Sequence, residues 1–327
     1  MAHRADPASD ASLRESIRRI MGSEPVGFAP VEGGYTPAQR YRVGLSDGRA
    51  VFAKRAVDAF TARALRAERF VYERIEGAFL PRYLGFVDDP ARPLLLLEFL
   101  EGAESAPPWS DERVDAVFAS LADMHQLEVR LPPFDHHSME IEQGWASIAH
   151  DPQPLLALGY VTPDWLERHL HRLVAAEADQ NLSGLDVCHF DLRSDNILFR
   201  DGRAVFLDWS AACLGPPSLD VGLWLPSLQV EGGPAPEELL PGAPTESAWV
   251  SGFFAARAGL PDLPHAPRVR AVQREQLRAA LPWAVRELSL RDPDGAAAGE
   301  LEPFLGSRDR VGSRDRAGSR DRPDSRG

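Results

Sequence analysis

Apolar residues near the N-terminus recur at the spacing of an α-helix. The side chains that share this face are Leu13, Ile17 and Ile20. Ser12 and Glu15 fit a capping box, and Gly22 is a typical helix stop. We therefore predict a first helix over 12–21.

The next part of the chain carries short apolar segments bounded by turn residues, a pattern typical of β-strands. Ser46 to Arg49 reads as a hairpin turn between the first two of them. A second helix is expected to begin with Thr61 as its cap, to run to about Glu76 and to be ended by Gly77. The predicted strands cover 41–45, 50–54, 82–87 and 94–99.

After residue 110 the apolar pattern becomes helical. The first buried face combines Val114, Val117, Phe118, Leu121 and Met124. Thr162 followed by Pro163 predicts the start of another helix, because proline is favourable at the first helical position. Strands followed by helices indicate an α+β fold.

Residues 231–290 combine one polar segment with two helical segments. Residues 231–247, which are rich in Pro, Gly and Glu, are expected to form a long loop. Helices are predicted over 246–258 and 268–290. The second should be bent or broken at Pro282, which lacks an amide donor.

Composition places the chain among ordinary soluble proteins, with 44% hydrophobic and 26% charged residues in 327. No apolar run approaches the roughly 20 residues that a membrane helix needs, so no membrane partner is expected. The N-terminal segment lacks the apolar core of a signal peptide. Only two cysteines, Cys188 and Cys213, are present, which fits a reducing cytoplasm.

The net charge of the chain indicates which kinds of binding partner to expect. A net charge of −13 argues against a nucleic-acid partner, which would favour a basic face. The same acidity suits a cationic small molecule through long-range attraction, although it also serves solubility. Residues 306–327 repeat Gly-Ser-Arg-Asp-Arg without apolar anchors, so we predict a disordered tail. The sequence contains no signal for the oligomeric state.

The strongest chemical signal begins at Cys188 and reads Cys-His-Phe-Asp-Leu-Arg-Ser-Asp-Asn-Ile-Leu-Phe. It contains Asp191 and Asn196, and Asp208 follows Asn196 by twelve residues at the end of an apolar strand. Asp191 can accept a proton from an attacking hydroxyl, while Asn196 and Asp208 offer hard oxygen ligands to magnesium. Because an Asp-Gly turn joins the two intervening strands, Asp208 should return to the side of Asn196.

The spacing His-x-Asp-x-x-x-x-Asn resembles the catalytic loop of the protein-kinase superfold. The residues of the motif, His-Phe-Asp-Leu-Arg-Ser-Asp-Asn, with Asp-Trp in place of Asp-Phe-Gly, resemble the aminoglycoside phosphotransferase family of small-molecule kinases more than they resemble protein kinases. The resemblance implies a bilobal protein-kinase-like fold, with a nucleotide-binding lobe in 1–101 and a catalytic and substrate-binding lobe in 102–305. It also implies Mg²⁺ as cofactor, ATP or GTP as phosphate donor, and a small-molecule hydroxyl as acceptor.

Lys54 ends an apolar strand, and the resemblance implies that its ammonium reaches the nucleotide phosphates. Its ion-pair partner is expected on the following helix. Glu68 lies there on the buried stripe, where an unpaired carboxylate is unfavourable, and Glu73 is the alternative. Since a strand-end side chain carries little packing, replacing Lys54 is expected to leave the fold intact.

Two further segments are candidate nucleotide contacts. The first is a glycine pair before the hairpin; a full Gly-x-Gly-x-x-Gly is absent, so an ordinary turn is the alternative. The second resembles a hinge whose backbone groups would bind the edge of the base. The residues of the two segments are Gly33, Gly34 and Thr36, and Glu98, Phe99 and Leu100.

One further residue of the motif is a candidate for catalysis, and three residues in or near it are expected to have structural roles. Arg193 is a catalytic candidate, because a planar guanidinium suits the γ-phosphate. His189 is expected to support the loop by hydrogen bonding, and His125 to be a buried support. Asp220, in a Gly-Pro-x-x-x-Asp segment, is expected to brace the catalytic loop, as the resemblance implies.

The preferred hypothesis is a phosphotransferase that moves a γ-phosphate to a small-molecule hydroxyl. The acceptor can be an aminoglycoside-like antibiotic, as in a resistance enzyme, or a metabolite such as an amino alcohol or sugar. A nucleotide-binding pseudokinase is a second hypothesis, disfavoured because Lys54, Asp191, Asn196 and Asp208 are all present. A protein kinase is a third, disfavoured because no Ala-Pro-Glu motif follows Asp208.

Overall fold

A computed structural model describes residues 10–34, 36–134, 144–264 and 266–305. The predicted disordered tail lies outside these residues. The N-terminal part is a five-stranded antiparallel sheet with strand order β1-β2-β3-β5-β4 and two helices. Its elements are α1 (Ala11–Met21), β1 (Pro25–Pro30), β2 (Gln39–Leu45), β3 (Ala50–Arg55), α2 (Ala59–Tyr72), β4 (Tyr83–Val87) and β5 (Leu94–Glu98).

Helix α1 is present, but the expected capping box of Ser12 and Glu15 is wrong. Asp10 is the N-cap, and its side chain accepts the backbone N–H of Leu13 at 3.0 Å. Asp and Ser are comparable caps, so the local sequence alone does not choose between them. A contact from β3 favours Asp10, because its second oxygen accepts Arg55 NH1 at 2.5 Å.

Helix α2 begins before the predicted start. Asp58 is its N-cap, and Thr61 occupies the third helical position of a capping box rather than the cap itself. Thr61 donates its backbone N–H to Asp58 Oδ1 at 2.8 Å, and its hydroxyl accepts the N–H of Asp58 at 3.1 Å. The helix ends at Tyr72, four residues before the predicted end, because the backbone turns at Glu73 and Arg74.

The C-terminal part is mainly helical and carries short strands beside the catalytic motif. Thr162 caps the helix that begins at Pro163, as the sequence predicts, and Ser110 caps the helix that begins at Asp111. The strands are β6 (Glu104–Ser105), β7 (Asp186–Cys188), β8 (Ile197–Arg200), β9 (Arg203–Phe206) and β10 (Cys213–Gly215). The helices are α3 (Asp111–His125), α4 (Gly144–His150), α5 (Gln153–Leu156), α6 (Pro163–Ala178), α7 (Pro217–Val230), α8 (Pro236–Leu239), α9 (Pro244–Ala258), α10 (Val269–Glu287) and α11 (Glu302–Leu305).

Two expectations about proline need correction. The segment 231–247 is not a continuous loop, because it contains α8 and the first turn of α9. Each of these helices starts with a proline, where the missing N–H removes no helical hydrogen bond. Helix α10 continues through Pro282, so the predicted break is wrong, while a bend at this position stays a prediction. This proline is buried within α10 where it packs against α7 and α9, so tertiary packing offsets the lost hydrogen bond.

One hydrophobic core connects the sheet side of the molecule to the helical side. It joins Leu65 of α2 and Leu95 of β5 to the C-terminal helices. Its largest buried side chains are Trp145, Trp165, Trp209, Trp224, Trp249 and Trp283. A smaller core lies between α1 and the sheet. Among the described residues, no helix is long and apolar enough to cross a membrane.

Candidate active site

The β8–β9 hairpin brings two of the predicted site residues to the same end. Asp201 and Gly202 both have positive φ, 52° and 74°, as a tight two-residue turn requires. The strands pair in register from Arg200 back to Ile197, and the next hydrogen bond runs from Leu207 N to Asn196 O at 2.8 Å. Asp208 follows directly, so the predicted return of Asp208 to the side of Asn196 is confirmed.

Lys54 and Glu68 form the predicted ion pair. Lys54 Nζ lies 2.6 Å from Glu68 Oε1, and the side chains are only 5% and 2% exposed. Glu73 is not the partner, because it pairs with Arg69 on the outer face of α2. The same ammonium lies 3.0 Å from Asp208 Oδ2, so one ammonium and two carboxyl groups from both parts of the chain converge. Lys54 is therefore buried, contrary to the expectation of a loosely packed strand-end side chain.

The charges of this triad follow from burial and proximity. Burial by itself lowers the pKa of Lys54, but Asp208 and Glu68 outweigh it, so the pKa lies above its ordinary value. Burial raises the pKa of Asp208, yet Lys54 more than compensates and holds it well below its usual range. Burial also raises the pKa of Glu68, to about 8, against the attraction of Lys54. Asp208 is thus the carboxylate whose charge balances the ammonium.

Asp191 lies on the other side of Asn196. Asn196 Nδ2 donates to the backbone oxygen of Asp191 at 2.8 Å and to its Oδ2 at 3.1 Å. The Asp191 side chain is 36% exposed, so a ligand can reach it. Burial in the cleft raises its pKa to about 6, with Arg193 opposing and Asp208 adding to the shift. A carboxylate with this pKa is ionised at neutral pH and is a better proton acceptor than an ordinary aspartate.

A network of buried polar groups holds the catalytic loop in place. Asp220 accepts the backbone N–H groups of His189 and Phe190, at 3.0 and 2.7 Å, and lies 3.1 Å from His125 Nε2. His189 Nδ1 accepts Asp191 N–H at 3.2 Å, so Nε2 carries the proton and donates to Leu207 O at 2.9 Å. Burial lowers the pKa of His189 and keeps the ring neutral. The expected structural roles of His189, Asp220 and His125 agree with these contacts.

Two site positions have backbone conformations that cost free energy. Phe190 has a φ of 56° and Asp208 a φ of 61°, and neither is glycine. Such left-handed residues cluster where the surrounding structure fixes a functional geometry. At Asp208 the conformation turns the chain immediately after β9, so the carboxylate points toward Lys54 instead of continuing along the strand.

Arg193 occupies a different environment from the one expected for a γ-phosphate ligand. Its Nε lies 3.0 Å from Asp195 Oδ1, and its NH1 lies 3.3 Å from Asp191 Oδ1. The guanidinium therefore fixes the two carboxylates of the loop relative to each other. Contact with the γ-phosphate stays a prediction.

The glycine pair before the first hairpin is supported by a residue that the sequence reading missed. Gly33 and Gly34 have positive φ, and a Cβ on Gly34 would lie 2.6 Å from Arg40 NH2. Arg40 donates to the backbone oxygen and the hydroxyl of Thr36, at 3.1 and 2.8 Å. It also lies directly opposite Lys54 in the β2–β3 register, which adds a second positive charge on that side of the cleft. Counting the register back from the predicted turn would have found it.

The segment that resembles a hinge connects the two parts of the chain. Glu98 Oε1 accepts Arg200 NH1 at 2.8 Å, and its Oε2 accepts the N–H of Arg82 at 3.3 Å. Phe99 packs its ring under the guanidinium of Arg42, and the carbonyl of Leu100 accepts Ala103 N–H at 3.3 Å. The Glu98 side chain thus ties β5 to the catalytic hairpin. A role for the 98–100 backbone in base binding stays a prediction.

The donor set suits a magnesium ion. Because Asn196 Nδ2 is fixed on Asp191, the amide presents its oxygen, the atom that ligates metals, on the opposite side. Asp208 supplies an ionised carboxylate, of which one oxygen contacts Lys54 and the other accepts the hydroxyl of Ser210 at 3.1 Å. One amide oxygen and one carboxylate are the hard ligands that Mg²⁺ accepts beside phosphate oxygens and water.

Comparison with known proteins is consistent with this geometry. The model of the phosphotransferase enzyme family matches residues 27–249. No curated protein matches the chain at a significant level.

Solved structures share the fold at low sequence identity. An apo thermostable mutant of aminoglycoside phosphotransferase APH(4)-Ia aligns with a TM-score of 0.55 and 14% identity, over 90% of this chain and 100% of that chain. A complex of a related mutant with AMP-PNP and hygromycin B gives 0.52 and 14%, over 91% and 100%. A protein assigned as a fructosamine-3-kinase from Thermobifida fusca YX-ER1 gives 0.50 and 21%, over 82% and 99%. At such low identity, the structural similarity establishes the fold alone.

Proposed function

Because this chain belongs to the phosphotransferase enzyme family, we propose that it transfers the γ-phosphate of ATP or GTP to a hydroxyl of a small molecule. The observation that carries the proposal is the convergence of four groups from distant parts of the sequence. Lys54 contacts Asp208. The backbone oxygen of Asn196 accepts the N–H of the residue before Asp208, and the side chain of Asn196 contacts Asp191. This convergence supports a site in which Lys54 is the cation, Asn196 and Asp208 are the metal ligands and Asp191 is the proton acceptor.

Each group has a chemical task in the transfer. Lys54 binds phosphate oxygens of the nucleotide, held in place by Glu68. Asn196 and Asp208 would hold magnesium, which neutralises phosphate charge when it is bound. Asp191 orients the acceptor hydroxyl and takes its proton as the oxygen bonds to the γ-phosphorus. The bond to the bridging oxygen breaks, and the nucleoside diphosphate leaves with that oxygen. Because phosphoryl transfer depends mainly on positioning and charge, one carboxylate is a sufficient base.

Two classes of small molecule are candidates for the acceptor of the phosphate. The complex with hygromycin B shows that an aminoglycoside binds a phosphotransferase of this fold. The similarity to a protein assigned as a fructosamine-3-kinase makes a hydroxylated metabolite the second candidate. Both are small molecules with several hydroxyl groups.

The test is transfer of phosphate to a panel of hydroxylated antibiotics, amino alcohols, sugars and sugar acids, with magnesium and either ATP or GTP. Mass detection of an added phosphate identifies the acceptor and the donor. We expect Asp191→Asn to lower the transfer rate by at least about a hundredfold, because the proton acceptor is lost. Asp179→Asn, on the exposed end of α6, is the matched control and should keep the rate. Nucleotide binding without transfer to any acceptor would support the pseudokinase hypothesis instead.

A further inference from the structure

A cavity of about 460 Å³ lies beside the catalytic loop, between the end of α7 and the first half of α10. Its wall includes Arg193, whose guanidinium contacts Asp191 at 3.3 Å. The side chain of Arg193 therefore connects the cavity to Asp191, the proposed proton acceptor. Its volume falls in the range of small-molecule sites.

The carboxylates that line this cavity are already engaged by the protein. Asp195 pairs with Arg193, Nε to Oδ1, at 3.0 Å. Glu275 pairs with Arg278 at 2.8 Å. Each of these charges is balanced within the fold before any ligand arrives.

Glu231, the third carboxylate of the wall, is engaged at both oxygens. Trp109 Nε1 donates to its Oε2 at 2.8 Å, and the hydroxyl of Ser194 donates to its Oε1. These two contacts come from residues 122 and 37 positions away, so Glu231 also fixes the catalytic loop against the segment before α3. Both donors are neutral, so these hydrogen bonds position the carboxylate without balancing its charge.

Arg274 is the contrasting group in the same wall. Its NH1 makes one long hydrogen bond, to Ala258 O at 3.3 Å. Among the described residues no carboxylate lies within ion-pair distance of its guanidinium. The side chain is half-buried at the cavity, where water competes less with a ligand than on the open surface. A planar guanidinium with several unused donors is suited to bind a carboxylate in two parallel hydrogen bonds.

We propose that this cavity binds the acceptor and that Arg274 recognises a carboxylate on it, so that the acceptor is a hydroxylated carboxylic acid rather than a polycation. This inference rests on the proposed function, because it names the substrate class of the same site. A carboxylate fits better than a phosphate, since its single negative charge matches one guanidinium among acidic neighbours. A polyamine such as hygromycin B would meet two arginines in this wall, and two of its three carboxylates are already paired with an arginine.

Binding measurements on the full chain test the proposal without requiring turnover. The probes are a series of aldonic acids, each beside its own amide, with hygromycin B and sugar phosphates as further arms. We expect at least one acid to bind about tenfold more tightly than its amide, as one bidentate charge-assisted contact supplies. Arg274→Gln should remove that preference, so that acid and amide bind about equally. Arg268→Gln, which removes an exposed charge just before α10 away from the cavity, is the matched control and should keep the preference.

The outcomes separate this inference from the proposed function. The inference is overturned if no acid binds, if acid and amide bind equally, if Arg274→Gln keeps the preference, or if hygromycin B or a sugar phosphate binds more tightly than every acid. Binding of ATP with magnesium, measured on the same samples, reports on the proposed function. If ATP with magnesium does not bind, the proposed phosphotransferase function is contradicted. The preference for acids over amides is measured independently on the same samples.

Discussion

At the scale of single residues, the site combines groups that are costly to bury unless they are paired. Lys54 and Glu68 are almost completely buried, and Glu68 Oε2 has no hydrogen-bond partner among the described residues. Asp208 adds a left-handed backbone to this cost. Such costs are retained where they position charges for a ligand, here on the proposed path of nucleotide phosphates.

Lys54→Met tests the energetic side of the triad. Removing the ammonium leaves two carboxyl groups buried against each other, so we expect a loss of about 3 kcal/mol in the free energy of unfolding. The double variant Lys54→Met with Glu68→Leu should recover at least half of that loss, because it removes the buried carboxyl together with its partner. Urea denaturation measures both. A double variant no more stable than the single one would contradict this account of the pair.

His169 predicts a pH effect on stability. Its ring is 7% exposed, packs edge-on against Trp165, and its Nε2 has no partner among the described residues. Burial lowers its pKa below the ordinary 6.5, so in the folded state it stays neutral. The unfolded chain takes up this proton first as pH falls, and stability is lost as pH drops through 6.5 toward the folded pKa.

The matching experiment compares urea unfolding at about pH 7.5 and about pH 5.5. We expect His169→Leu to lose less stability between the two than the wild type does, because the buried imidazole is gone. His171→Leu, at an exposed position of the same helix, should follow the wild type. Parallel pH dependence in wild type and His169→Leu would contradict the prediction.

At the scale of elements, side chains from one helix complete the ends of another. Glu177 of α6 accepts three backbone N–H groups in the first turn of α4, from Gly144, Trp145 and Ala146, at 2.7, 2.9 and 3.3 Å. These donors have no partner within α4 itself. The side chain is 3% exposed, so water cannot replace it. Glu177 therefore fixes α4 against α6 and α9.

Glu177→Ala should cost about 2–3 kcal/mol in the free energy of unfolding, because it leaves several buried donors unsatisfied. The exposed Glu167 of the same helix provides the control, and Glu167→Ala should change stability little. Thermal or urea denaturation compares the two. Equal stability in both variants would show that the first turn of α4 does not depend on this carboxylate.

At the scale of the whole molecule, the β8–β9 hairpin and the residues after it contact the N-terminal part directly. Phe206 N donates to Phe79 O at 2.7 Å, Arg200 pairs with Glu98 at 2.8 Å, and Trp209 packs on Phe79. These contacts hold Asp208 against Lys54. The two halves of the site are therefore preorganised by the core they share.

The local parts of this arrangement could be predicted from the sequence. The Asp-Gly turn fixed the hairpin register, and the helical stripe through Glu68 indicated its burial before any partner was known. The pairing of Glu231 with Trp109 joins residues too far apart in the chain for any periodicity to reveal. The cap of α1 could not be chosen either, since Arg55, which favours Asp10, is 45 residues away. Arg40 lay within reach of register counting but was overlooked.

The proposed role of Asp208 and its neighbours is to hold a magnesium nucleotide, and calorimetric titration of ATP with and without magnesium measures this binding. We predict magnesium-dependent binding by the wild type, weakened at least about tenfold in Asp208→Asn, because a neutral amide replaces the ionised ligand. Asp201→Asn makes the same exchange at a left-handed position at the far end of the hairpin and should bind as the wild type does. Equal affinity for ATP and magnesium in the wild type and Asp208→Asn would contradict the account.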